Sequence, residues 1–305
     1  MAALATRPLD VMIIVSWNCA GAFRTKFHAL ERFEADVHII QECEDPERSH
    51  HVGYKEWASN YLWAGINKNS GLGIFARDGI RLEKLSLESG RLELFLPCRI
   101  DGSICLLAVW TKQANSPTFQ YIGQLWKYLE AHKQELTGMP LVVAGDLNSN
   151  VRWDKWDRWW NHSDVVRELS ALGVESAYHH ARSVAQGAEP EPTFFLQRNL
   201  KKPYHIDYAF IPRSWLEGCS VRIGDADEWI ALSDHLPLRV AFNTGANPGG
   251  GSAWRNTFVT CSPKAERQAR RGRWREFLPM PGGTPDECER DNEHPWSDTD
   301  FRHLS

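Results

Sequence analysis

The chain has 305 residues, 42% hydrophobic and 24% charged, close to globular averages, so it can bury a sizeable core. Its formal net charge of −4 rules out a uniformly basic glove for nucleic acid but leaves room for a local basic rim. The cysteines, seven in number, are scattered and form no Cys-x-x-Cys pair, which argues against a disulfide framework and against a structural zinc site.

The first ten residues lack the long apolar core of a signal peptide, and no apolar run approaches the length of a membrane span. A soluble, cytoplasmic protein is expected, with no membrane association and no obligate protein partner evident.

Val11-Met12-Ile13-Ile14-Val15 reads as a buried strand running into Ser16-Trp17-Asn18. Residues 25–33 carry Phe27, Ala29, Leu30 and Phe33 at helical spacing and predict a helix. Val37-His38-Ile39-Ile40 is a second strand that leads straight into Gln41-Glu42. Strands are also expected over 61–66, 71–76, 92–96 and 104–110, the first two joined by the turn-forming Asn67-Lys68-Asn69-Ser70. Residues 119–136 place Tyr121, Ile122, Leu125, Trp126 and Leu129 on one stripe, an amphipathic helix.

The central stretch follows: Leu141-Val142-Val143-Ala144-Gly145-Asp146-Leu147-Asn148-Ser149-Asn150. It opens as a buried strand, and Asp146 and Asn148, two apart, project to one side of an extended chain. A carboxylate beside an amide at a strand's lip suits holding a water against a phosphate. Taken alone, Asp-Leu-Asn-Ser-Asn is equally an ordinary turn.

Residues 152–160 interleave Trp153, Trp156, Trp159 and Trp160 with Arg152, Lys155 and Arg158. They read either as a stacking and phosphate-gripping rim or as a tryptophan-stapled loop folded onto the core. Residues 164–172 predict a helix with Asp164 near its start and Gly173 past its end. Three more strands are expected over 193–196, 205–211 and 236–242. From 243 the texture changes to a Pro/Gly-rich linker, then a basic segment over 262–275 and an acidic one over 286–300. The expected organisation is a catalytic domain over 1–242 and a linker with a disordered charged tail over 243–305.

Acidic, amide and imidazole residues share one placement, at or just past the end of an expected strand: Asn18, Glu42, Asp146, Asn148, Asp207 and Asp234-His235. Layered α/β folds gather strand ends at one sheet edge, where sites are built. Carboxylates without cysteine suit a hard cation, magnesium or manganese rather than zinc. Each has a plainer reading: Glu42 and Asp234 as solvated loop acids, His235 as a turn histidine, Asn18 as a cap. Asp207 lies inside a strand, where an unpaired carboxylate would be costly, so it demands a partner, and His235 is the evident one.

Val-Ser-Trp-Asn18, Ile-Ile-Gln-Glu42, Gly-Asp146-Leu-Asn148-Ser-Asn, His-Ile-Asp207-Tyr and Leu-Ser-Asp234-His235-Leu-Pro-Leu stand in the order seen in the endonuclease/exonuclease/phosphatase superfamily. The chain resembles that family over residues 11–242. The resemblance implies an α/β four-layer sandwich of two mixed β-sheets flanked by helices. It implies Glu42 as principal Mg2+ ligand, with Mn2+ an alternative ion, and Asn18 and Asp234 beside it. Asp146 would activate the attacking water, Asn148 would hold Asp146 and a phosphate oxygen, and His235 would face the phosphate with Asp207 as partner.

Many relatives carry Tyr or His where this chain has Trp110, whose single N–H cannot replace either, and Lys112 or Gln113 is the expected substitute at the substrate. Trp153 and His179 are further candidate substrate contacts. The leading expectation is a magnesium-dependent nuclease acting on DNA. A phosphatase or phosphodiesterase for inositol-phosphate or lipid head-group substrates is the first alternative, and a non-catalytic nucleic-acid-binding module the second.

Overall fold

The structure is a computed structural model that describes residues 11–245 apart from 89, 114, 115 and 117. In chain order the first elements are β1 (Val11–Asn18), β2 (Val37–Cys43), α1 (Val52–Trp57), β3 (Tyr61–Asn67), β4 (Ser70–Ala76), β5 (Leu82–Lys84), β6 (Phe95–Ile100) and β7 (Ile104–Trp110). Next come α2 (Ile122–Leu136), β8 (Leu141–Asp146), α3 (His162–Ala171), β9 (Val174–Ser176) and α4 (Ala177–Arg182). The last are β10 (Phe194–Phe195), β11 (Pro203–Tyr204), β12 (Asp207–Pro212), β13 (Ser220–Ile223), α5 (Ala226–Trp229) and β14 (Leu238–Asn243).

Two mixed sheets result, ordered β13-β14-β1-β2-β4-β3 and β5-β6-β7-β8-β12-β9, with β10 and β11 pairing as a small hairpin. Side-chain alternation in β7 shows how they stack. Leu106, Ala108 and Trp110 join Ile14, Ile39, Ile74 and Val240 in a core between the sheets. Leu107 and Val109 face the other way, onto Leu125 and Leu129 of α2 and Val165 and Leu169 of α3. On the far side of the first sheet, Val15 and Trp17 pack against Phe23, Phe27, Leu30, Tyr54 and Trp229. The expected four layers are present.

Several boundaries differ from expectation for local reasons. The helix expected over 25–33 is instead two 3-10 turns, Phe23–Thr25 and Phe27–Phe33. Phe27, Leu30 and Phe33 recur every third residue, which suits three residues per turn. Leu94 has φ 62°, so the strand expected over 92–96 starts only at Phe95 and runs on to Ile100. Tyr121, at φ 50°, likewise delays α2 to Ile122.

Short edge strands β5, β9 and β13 carry too few residues to show a period. The chain divides at Ala246, and all but the first three residues of the expected linker and tail lie outside the described residues. Among the described residues, no helix is long and apolar enough to cross a membrane.

Candidate active site

β1 runs parallel to β2, and β7 parallel to β8, so Asn18, Gln41, Trp110 and Asp146 finish at matching ends of their strands. β12 starts where β8 stops, pairing Asp207 directly with Asp146. The sheets meet at this edge: Asn18 Nδ2 of one donates to Asp146 Oδ2 of the other at 3.1 Å.

Local backbone features aim the side chains. Gly145 has φ 151°, and a Cβ there would sit 1.8 Å from the Val109 carbonyl oxygen, so only glycine lets β8 lie this close to β7. Glu42 sits at a register shift between Gln41 and Cys43 with φ 62°, a bulge that turns its carboxylate out of the strand's alternation. Its Oε1 then accepts from Asn18 Nδ2 at 3.0 Å. Asn148, at φ 44°, folds back on Asp146, its N–H donating to Oδ1 at 2.8 Å and its Nδ2 to Oδ2 at 3.0 Å. The same Nδ2 donates to the Thr111 carbonyl at 3.0 Å, tying the turn to the end of β7.

His235 is fixed on every side. Ser233 Oγ donates to the Asn18 carbonyl at 2.7 Å and accepts the His235 N–H at 3.1 Å. Trp17 Nε1 donates to the His235 carbonyl at 3.0 Å, and the imidazole packs 4.5 Å from the Phe194 ring. Nδ1 faces Asp207 Oδ2 at 2.9 Å, so that nitrogen carries a proton, and Nε2 lies 3.9 Å from Asp146 Oδ2.

Burial opposes charge on His235, Asp146 and Glu42, and attraction between the ring and the carboxylates works against it. Burial alone would lower the His235 imidazole, but Asp207 and then Asp146 outweigh it and raise the group to about 10. Burial raises the Asp146 carboxyl to about 7 against the pull of His235. Glu42 is also raised, first by burial, with the Asn18 hydrogen bond and the His235 charge acting in opposition and Asp234 adding to the rise.

Lys112, which leans over the Trp110 ring at 4.2 Å, favours the Glu42 carboxylate through its charge. The expected catalytic residues Asp146, Asn148, Asp207 and His235 therefore come together, with Asn18, Glu42, Asp234 and Lys112 around them. Asn18 meets the carboxylates of Glu42 and Asp146 through its amide nitrogen, while its Oδ1 accepts the Ala20 N–H at 3.1 Å.

His179 and Trp153 stand apart from this network. Both ring nitrogens of His179 are engaged, Nδ1 with Ser176 Oγ at 2.7 Å and Nε2 with Glu189 at 3.0 Å. Trp153 packs against Tyr204 at 5.7 Å.

Two sets of groups could hold a cation. Asp146, Asp207 and His235 offer ligand atoms within 4.8 Å of one another, the one such trio among the described residues. With its proton held this firmly, His235 has no free lone pair to give, which weighs against a metal inside that trio. Glu42 and buried Asp234 are oxygen donors with sparse protein partners; among the described residues the Asp234 carboxylate meets the Ser233 hydroxyl at a long 3.4 Å, and that hydroxyl's proton points to the Asn18 carbonyl at 2.7 Å. Two neighbouring carboxylates of this kind, Asp234 buried and Glu42 half-buried, fit a hard divalent cation.

One contributor was missed in the sequence. Thr193 Oγ1 accepts both the Ile206 and Asp207 N–H groups at 3.0 Å, and its carbonyl accepts the Leu236 N–H at 2.7 Å. It thus clamps the segment bearing Asp207 to the one bearing His235. A threonine ahead of an aromatic pair carries no distinctive sequence signal.

The chain belongs to the endonuclease/exonuclease/phosphatase family, whose sequence profile matches residues 15–235. It is accordingly an enzyme of the phosphoester hydrolase class. Among similar solved structures is a 3′–5′ exonuclease from Neisseria meningitidis, 18% identical, with a TM-score of 0.55, covering 76% of this chain and 100% of that one. An AP endonuclease from Leishmania major is 15% identical with a TM-score of 0.57, covering 78% of this chain and 89% of that one. One from Archaeoglobus fulgidus is 17% identical with a TM-score of 0.53, covering 76% and 99% respectively. At such identities these structures speak for the fold. No curated protein matches the chain significantly in sequence.

Proposed function

We propose that the chain is a magnesium-dependent nuclease that hydrolyses phosphodiester bonds of DNA by in-line attack of water. The observation that carries this reading is the hydrogen-bonded convergence of Asn18, Asp146, Asn148, Asp207 and His235, drawn from both sheets, beside half-buried Glu42. Similarity to solved exonuclease and AP endonuclease structures supports nucleic acid as substrate.

Asp146 takes the proton of the attacking water, and burial sets its carboxyl near neutrality, where a general base works best. Asn148 holds both carboxylate oxygens of that base in one orientation. His235, kept protonated by Asp207, donates from Nε2 to the phosphate as negative charge builds on it. Glu42 would hold Mg2+, or Mn2+, with Asp234 beside it and Asn18 keeping the Glu42 carboxylate in place. A bound divalent cation supplies Lewis acidity and orients the phosphate.

The test is a panel of labelled single-stranded DNA, duplex DNA, abasic-site duplex, RNA and inositol phosphates, each with Mg2+ and with EDTA. DNA cleavage that needs Mg2+, and needs more of it in Glu42→Gln, supports the reading. Hydrolysis confined to inositol phosphates, or cleavage indifferent to EDTA, would refute it.

A further inference from the structure

The tryptophan-rich loop takes no part in the hydrogen-bond network around Asp146, and the structure divides its four indoles into two kinds. Trp160 is buried, packed at a tilt against Phe119 at 5.4 Å and under the Arg158 guanidinium at 4.4 Å. Trp153 is part-buried against Tyr204 of β11. Trp156 and Trp159 are presented to solvent, 97% and 64% exposed.

That exposure does not come from a loose loop. Asn161 binds its inside: Oδ1 accepts the Lys155 N–H at 2.9 Å and Arg158 Nε–H at 3.0 Å, and Nδ2 donates to the carbonyls of Lys155 and Arg158. Arg158 also donates to the Trp153 carbonyl at 3.0 Å, and the Asp154 carboxylate takes the His162 and Ser163 N–H groups at the start of α3. A segment held this firmly, with two large apolar rings left in water, is built for contact.

Its position says with what. The loop grows out of the catalytic segment: Asn150, two residues past Asn148, donates to the His205 carbonyl and to Tyr208 Oη, both at 3.1 Å, and caps the turn leading to Trp153. Trp156 is eight residues from Asn148, so it lies no more than about 28 Å away even if the chain were straight. The Trp153–Tyr204 contact ties the loop to the β10–β11 hairpin, whose exposed turn over 197–202 carries Arg198, Lys201 and Lys202 and no carboxylate. Cations for phosphates thus lie on a hairpin joined to the flat π-faces. Asp157, exposed between the indoles, weighs against an anionic membrane pressed flat on the loop, while a strand can seat its bases and turn its phosphates to the hairpin.

We propose that the 154–161 loop is a stacking platform on which Trp156 and Trp159 hold unpaired bases of the substrate, so that the enzyme engages its strand single-stranded. This rests on the nuclease reading above and deepens it. Bases paired in a duplex keep their faces covered by their neighbours and gain nothing from the rings; phosphate contacts are common to both forms.

In the test, the full chain in EDTA is titrated with a short fluorescent single strand, with its blunt duplex, and with anionic lipid vesicles. Relative to wild type, Trp156→Ala/Trp159→Ala should lose affinity for the single strand by about tenfold or more per indole, and change little on the duplex. Trp156→Phe/Trp159→Phe, which keeps a ring at each place, should recover most of the loss. Unchanged single-strand affinity, an equal loss on duplex, or loss of vesicle binding alone would each overturn the proposal. The two readings separate cleanly: tryptophan-dependent strand binding in EDTA with no cleavage in Mg2+ supports the platform and refutes the nuclease. Cleavage indifferent to both indoles does the reverse.

Discussion

Replacing Asp207 with asparagine keeps the shape of the side chain and removes the charge that holds the His235 proton. The Nδ1–Oδ2 separation is 2.9 Å, against 3.9 Å from Nε2 to Asp146, so Asp207 is the closer of the two carboxylates on this ring. Raising an imidazole from 6.5 to about 10 corresponds to about 5 kcal/mol of net attraction for the charged ring, at about 1.4 kcal/mol per pH unit. With the larger share assigned to Asp207, Asp207→Asn should destabilise the fold by about 3 kcal/mol near pH 6, in line with the loss of one partner of a buried pair.

The sign follows from a raised folded-state value. The stabilisation is full below pH 6.5, fades as pH rises, and is lost on passing pH 10. Urea denaturation of wild type and variant across that range should therefore show curves that converge toward pH 10. At neutral pH the variant's ring, no longer held charged, should cost about 10²- to 10⁴-fold in the cleavage rate. Equal stabilities at pH 6 together with an unaltered rate would show that the Asp207–His235 pair carries neither load.

Other expectations concern how the site is held. Gly145→Ala drives a methyl into the Val109 carbonyl, and denaturation should show a loss above about 4 kcal/mol or no folded protein. Gly173→Ala is the control: its φ is 82° but nothing lies within 4 Å, so about 1 kcal/mol is expected. Thr193→Val leaves the Ile206 and Asp207 N–H groups without their buried acceptor, worth about 1–3 kcal/mol apiece, and should lower kcat more than it changes KM. Thr193→Ser should restore both, and a serine variant as slow as the valine one would count against the clamp.

Much of this arrangement was legible in the sequence because it is periodic or ends something periodic. The apolar runs at Val11–Val15 and Leu141–Ala144 could hardly be other than buried strands, and the polar residues ending them fall at one edge. Asp207 within an apolar strand announced a partner, and the structure supplies His235.

What stayed hidden depends on contacts between distant segments. The φ of 62° that aims Glu42, the Val109 carbonyl that requires Gly145, and the threonine joining two strand ends leave no trace in local composition. The four tryptophans look alike in sequence. Only the packing of Phe119 and Arg158 on Trp160, and of Tyr204 on Trp153, separates the anchored pair from the displayed one.

The most direct measurement is single-turnover cleavage of a labelled DNA strand by the purified full chain in Mg2+, wild type beside Asp146→Asn, with the melting temperature of each. The wild type should cleave. The variant should be slower by about 10³-fold or more, the scale expected when a general base and its charge are removed together, with its fold intact. A variant that cleaves at the wild-type rate, or a wild type inert toward every phosphodiester with every divalent ion tried, would contradict a hydrolytic centre built on Asp146.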